Sequence, residues 1–186
     1  MDTQFDLNSY FEHNEQAIQY ILSRQVNEES TFDILDTEKS KMNKRVALKE
    51  KQRQMKVGEI WQVCLGNYKD CIDLKIGHET GLDLMSHTRK FAVELKNRTN
   101  TDNASSKKSN LDKLAKFKLE HPDYTCIYGN INADTEQKTR QTPSKKIIHN
   151  GMEIEHQVGI GFLTFILGSD IDAIVDFIRN SIDKYT

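Results

Sequence analysis

Gly81-Leu82-Asp83-Leu84-Met85-Ser86-His87-Thr88-Arg89-Lys90-Phe91-Ala92-Val93-Glu94-Leu95-Lys96 is the stretch around which the chain is organised. It reads as a strand, a turn and a second strand. In the second strand Phe91, Val93 and Leu95 alternate with Lys90, Ala92, Glu94 and Lys96, and a period of two puts Glu94 and Lys96 together on the face away from the core. In the first strand Leu82 and Leu84 flank Asp83 in the same way. A hairpin loop with an even number of residues makes paired positions sum to an odd number, for example Met85 opposite Lys90. Asp83 then shares a face with Glu94 and Lys96.

Two carboxylates on adjacent strands suit a hard divalent cation such as Mg2+, which takes oxygen ligands, keeps several waters and often shares its shell with substrate phosphate. Lys96 beside them can orient or deprotonate an attacking water and neutralise charge building on phosphorus. A charged outer face, the ordinary state of an antiparallel strand, gives the same Glu94-Lys96 pattern without any chemistry. Asp83 on the partner strand is what favours the site.

Asp83, ten intervening residues, and then Glu94-Leu95-Lys96 resemble the PD-(D/E)xK nuclease superfamily. The continuation Asn97-Arg98-Thr99-Asn100-Thr101 is similar to type II restriction endonucleases, most of all to a group cutting GGNCC-type sites. There, an acid, an apolar residue, Lys-Asn and an Asn-Thr pair precede a Ser-rich helix start. The likeness covers residues 58–118 and includes Gly58-Glu59-Ile60-Trp61-Gln62 and Leu65-Gly66. Leu82 stands where the superfamily motif has proline. The resemblance implies a restriction-endonuclease-like α/β core, a central mixed β-sheet flanked by helices. It also implies Asp83 and Glu94 as metal ligands and Lys96 as the third catalytic residue. By the same analogy Glu59, on the preceding helix, is a further candidate ligand; Glu79 competes with it, and an exposed surface glutamate is the plain alternative for Glu59.

A chain of 186 residues fits one domain with a substantial core. We expect residues 1–186 to form a single endonuclease domain, with a helical part at 1–66, a catalytic core at 71–130 and a hairpin and helix at 144–186. Hydrophobic residues make up 37% and charged residues 29%, and no apolar run is long enough to span a membrane. The start Met1-Asp2-Thr3-Gln4-Phe5-Asp6 lacks a signal-peptide pattern, so a cytoplasmic location is expected. Cys64, Cys71 and Cys126 have no CxxC spacing and indicate neither a disulfide framework nor zinc. The net charge is −2, but it is segregated. Residues 1–38 hold nine acids and one base, whereas residues 39–56 hold eight bases and one acid. A second basic zone runs from Arg89 to Lys118. Such a bipolar chain can turn a positive face to a polyanion, although a solvated basic helix explains the first run equally well.

Ser9-Tyr10-Phe11-Glu12 has the form of a capping box for a helix reaching about Arg24. A long helix is expected from Glu38 to Leu65, and an extended segment from Cys71 to Ile76. After Lys96 comes a polar run, with Arg98, Asn100, Thr101, Asn103, Ser105, Ser106, Lys107 and Lys108 as candidate DNA contacts. Asn103 or Ser105 would also cap a helix running to Glu120, with Leu111, Leu114, Ala115 and Phe117 on the sheet and lysines on the other side. Tyr124–Asn130 reads as a buried strand, 131–144 as a loop, and Asn150-Gly151 as a type I′ hairpin turn. His149 and His156 beside it lack a third partner for a metal. Phe162–Leu167 is a strand or a helix entry. The stripe Ile171, Ile174, Val175, Ile178, Ile182 marks a final amphipathic helix, either core or a dimer face.

The function expected is Mg2+-dependent, site-specific cleavage of double-stranded DNA, leaving 5′-phosphate and 3′-hydroxyl ends. The resemblance further implies a homodimer and a cognate DNA methyltransferase. The alternatives are a structure-specific nuclease of repair or junctions, and a DNA-binding protein of this fold that does not cleave.

Overall fold

In the computed structural model, residues 5–25, 30–75, 77–98, 103–132 and 144–186 are described. Two helices come first, α1 (Leu7–Ser23) and α2 (Glu38–Gly66). The strands β1 (Ile72–Asp73), β2 (Leu84–Ser86) and β3 (Phe91–Arg98) follow. Next are α3 (Ala104–Glu120), β4 (Thr125–Asn132), and the hairpin of β5 (Lys145–His149) and β6 (Met152–Val158). The chain closes with α4 (Gly159–Leu167), a 3-10 turn (Gly168–Asp170) and α5 (Ile171–Tyr185).

The six strands form one sheet in the order β1-β2-β3-β4-β6-β5. β3 runs parallel to β4, and β4 to β6, while the remaining pairs are antiparallel. The expected α/β architecture, a central mixed sheet flanked by helices, is the one found. The parallel centre also explains a correction. Because parallel strands are normally covered on both faces, the side of β3 that carries Glu94 is not an outer face. Phe91, Val93, Ile127 and Ile131 pack with α1, α2, α4 and α5, whereas Ala92, Cys126, Tyr128 and Ile154 pack beneath Leu111, Leu114, Ala115 and Phe117 of α3.

Local chemistry accounts for most element boundaries. α1 begins one turn before the expected capping box, because Asp6 accepts hydrogen bonds from the Asn8 and Ser9 amides and serves as the cap. α3 begins where expected, with Asn103 Oδ1 accepting from the Ser106 amide at 2.8 Å. Asn150 and Gly151 have φ of 49° and 76°, the left-handed pair that a type I′ turn requires. The extended segment after Cys71 is only two residues of strand, since Lys75 turns at φ 56°. Residues 162–167 resolve as helix α4. The stripe on α5 is core: Ile171, Ile174 and Ile178 are buried, and Phe177 stacks on Phe11 with ring centroids 4.5 Å apart. All three cysteines are free and buried. Among the described residues no helix is long and apolar enough to cross a membrane.

Gly66 closes α2 against β1. A Cβ there would lie 2.9 Å from both the Cα and the amide nitrogen of Asp73, closer than atoms pack. Gly66→Ala should therefore cost about 1–3 kcal/mol by forcing helix and strand apart. The check is urea unfolding, with a lower midpoint and an unchanged slope expected.

Candidate active site

β2 and β3 pair with Leu84 opposite Val93 and Met85 opposite Ala92. The parity is that of the sequence reading, but the register lies two residues away from the example of Met85 opposite Lys90. Asp83 precedes β2 and keeps the sheet's bonding: its amide donates to Val93 O at 3.0 Å, and its carbonyl accepts from Leu74 N at 2.9 Å. Leu82 and Leu84 do not share a face as expected. Leu84 enters the larger core and Leu82 the core under α3, because regular strand begins only at Leu84 and Gly81 turns at φ 64°.

Asp83 Oδ2 accepts a 2.6 Å hydrogen bond from the Leu95 amide, which fixes its carboxylate beside the middle of β3. Glu94, next along that strand, is 3% exposed. Lys96 is two residues further on the same face, and its Nζ donates to Glu94 Oε1 at 2.6 Å. Glu94 Oε2 is buried and accepts no hydrogen bond. It lies 3.7 Å from Nζ of Lys113 on α3, an ion pair but too long for a hydrogen bond. The three residues expected to form the centre are thus brought together.

Burial raises the Asp83 carboxyl above its ordinary range, against the Leu95 amide and the charges of Lys96 and Lys113. Glu94 is also raised, first by burial and then by the negative charge of Asp83, with Lys96 and Lys113 opposing. The negative charge of Asp83 thus adds to burial in holding the Glu94 carboxyl up, whereas at Asp83 the like charge felt is that of Asp73. A buried carboxylate oxygen lacking a donor is an unmet demand for positive charge. Among the described residues no three His, Cys, Asp or Glu side chains form a metal cage. Asp83 and Glu94 offer two carboxylates, a set of the kind suited to a cation that fills the rest of its shell with water and phosphate oxygen.

Glu59 is not brought to this pair. It forms an ion pair with Arg24 at the end of α1. Glu79 is exposed in the turn before Gly81. From α2 it is Gln62 that reaches toward the centre, donating to Asp73 Oδ1 at 3.0 Å, and the charge of Asp73 is felt at Asp83. Asp73 carries a signal in the sequence too, since Ile72-Asp73-Leu74 repeats the alternation of Leu82-Asp83-Leu84. The lysines of α3, expected on the side away from the sheet, are not all there: Lys113 turns inward beside Asn110.

Asn103, Ser105, Ser106, Lys107 and Lys108 are exposed on the first turn of α3. Ser105 Oγ donates to Asn103 Oδ1 at 2.9 Å, and Lys107 Nζ lies 5.7 Å from the ring centre of Tyr128, the residue paired with Glu94. This cationic helix start therefore sits on the same side of the sheet as the acid pair. Arg98 ends β3. Its side chain, along with Asn100, Thr101 and residues 133–143 of the expected loop, lies outside the described residues. Asn132 Nδ2 donates to Asn97 O and Oδ1, and Asn97 Nδ2 to Gln54 O at 3.1 Å, tying the ends of β4 and β3 to α2.

No curated protein matches this sequence. The family model described as Eco47II restriction endonuclease does, over residues 2–158, a span from before α1 to the end of β6 that contains every residue of the centre just described. The chain belongs to the Eco47II restriction endonuclease family.

Proposed function

We propose that this chain is a type II restriction enzyme that hydrolyses double-stranded DNA at a specific site and needs Mg2+. The observation that carries the reading is the buried Asp83-Glu94 pair, with Lys96 on one glutamate oxygen and the other oxygen lacking a hydrogen bond, in a chain of this family. Asp83 and Glu94 hold the metal, which when bound supplies Lewis-acid stabilisation of phosphoryl oxygens. The Leu95 amide keeps Asp83 aimed at the centre. Lys96, the cation paired with Glu94, hydrogen-bonds and orients the attacking water and offsets charge developing on phosphorus.

The first turn of α3 supplies backbone N–H groups, serine hydroxyls and Lys107 and Lys108 for neighbouring phosphates. In-line attack leaves 5′-phosphate and 3′-hydroxyl ends. Residues 1–186 act as a single endonuclease unit. The likeness noted in the sequence supports a GGNCC-type site and a homodimer that presents one centre to each strand of a palindrome, with a cognate methyltransferase protecting the host.

Incubation with unmethylated phage-sized DNA should give discrete fragments with Mg2+ and none without it, and Asp83→Ala should remove them. Continuous degradation would instead favour a nuclease without sequence specificity, and intact DNA with retained binding a protein that does not cleave. Lys96→Ala should lower the single-turnover rate at saturating DNA by about 10²- to 10³-fold, the range for losing one positioned donor to developing charge.

Stability offers an independent check. Because burial raises both carboxyls, the folded chain binds their protons more tightly than the unfolded chain does. The pair therefore costs least below the ordinary carboxyl range, and its cost grows as pH rises through the raised values. Metal-free Glu94→Gln should melt above the wild type at neutral pH and lose that advantage in acid. It should also lose the rise in Tm that Mg2+ gives the wild type. Equal melting at both pH values would overturn the assignment of Glu94 as a strained ligand.

A further inference from the structure

We propose that Lys113 is a second substrate-facing cation of the centre, a counter-ion of Glu94 when the metal is absent and a ligand of a DNA phosphate when it is bound. This rests on the reading of Asp83 and Glu94 as metal ligands and assigns a role to a residue from a different element.

Three observations place it there. Its Nζ lies 3.7 Å from Glu94 Oε2, the buried oxygen with no hydrogen bond, so its attraction is to charge and not to a fixed bond. Its stem crosses the turn before Asp83, where a Cβ on Gly81 would meet its Cδ at 3.4 Å, and Nζ also donates to buried Asn110 Oδ1 at 3.3 Å. The side chain is nonetheless 38% exposed, so one side of the ammonium can meet solvent or substrate. α3 presents this lysine from the same helix whose first turn carries the exposed Lys107 and Lys108.

Counting charge shows what the arrangement does. Asp83 and Glu94 ionised, with Lys96 and Lys113 protonated, sum to zero, and the neighbouring Asp73 is itself paired with Lys75. A divalent cation held by the carboxylates leaves the cluster at +2, suited to a phosphodiester that gains a second negative charge as water adds. Without Lys113 the same cluster would be negative before metal binds and only +1 afterwards. Metal would bind more readily and the phosphate less. Loss of this lysine should thus move metal and DNA affinity in opposite directions, which simple loss of packing does not do.

The test uses the full chain and a duplex carrying the site mapped from wild-type fragment ends. Ca2+ replaces Mg2+ for binding, and fluorescence anisotropy is followed against salt. Lys113→Gln should weaken binding several-fold and reduce the log–log salt slope by about one. It should lower, by a similar factor, the Mg2+ concentration giving half of the maximal Tm rise, and Lys113→Arg should restore the salt slope. Lys113→Gln with wild-type salt slope and wild-type Mg2+ midpoint would overturn the proposal, as would parallel weakening of metal and DNA. If Lys113→Gln does not fold, Lys113→Met and Lys113→Arg carry the same comparison. Failure of the wild type itself to cut with Mg2+ would count against the proposed function, and the metal-midpoint comparison would still decide the role of Lys113.

Discussion

Two carboxylates repel one another and resist leaving water, so a fold that buries Asp83 beside Glu94 needs other interactions to hold them. The sheet provides the first. The Leu95 amide donates to Asp83, and the backbone of Asp83 is tied on both sides, to Val93 and to Leu74. The acid thus has a fixed position although it lies outside regular strand. Cations provide the second: Lys96 from the same strand and Lys113 from the helix above flank the two oxygens of Glu94. What remains uncompensated is the burial that still holds both carboxyls up and the one Glu94 oxygen without a donor.

The arrangement of the cores follows from the same requirement. Glu94 can be buried only because β3 lies inside the sheet, between β2 and β4, with α3 across one face and the N- and C-terminal helices across the other. A sheet open on that side would leave the carboxyl in water with ordinary acidity. Parallel pairing of β3 with β4 brings α3 over the acid pair, because the helix is the connection between the two strands. The same connection carries Asn103 and the lysines after it to the side on which chemistry is expected.

Much of this was legible in the residues. The alternation in Phe91–Lys96 and the odd-sum pairing put Asp83 with Glu94 and Lys96, and Asn103, Asn150-Gly151 and the stripe on α5 marked their elements because each depends on local chemistry. What failed was long-range. Alternation puts Glu94 on the face opposite Val93, but nothing in the strand says that a helix covers that face, so by pattern alone it looks like an outer one. Lys113 has the spacing of a solvated lysine and is drawn inward by a carboxylate 19 residues earlier in the chain. Glu59 sits in a segment resembling nucleases, yet one helical position decides whether it meets Arg24 or the centre, and sequence spacing does not resolve that. Asp6 displaced the Ser9 capping box because two adequate caps lay a turn apart and the helix took the earlier.

α2 spans 29 residues, about 43 Å at 1.5 Å per residue, and its outer half is mostly exposed, with no buried residue. The inner half has no slack. Asn97 holds the carbonyl of Gln54, Gln62 holds Asp73, and Gly66 presses on the backbone of Asp73. Mechanically this is a beam clamped at one end, and any load on the basic outer half becomes torque at the clamp. The clamp is β1 together with Asn97 of β3, so the long helix and the acid pair are anchored to the same edge of the sheet.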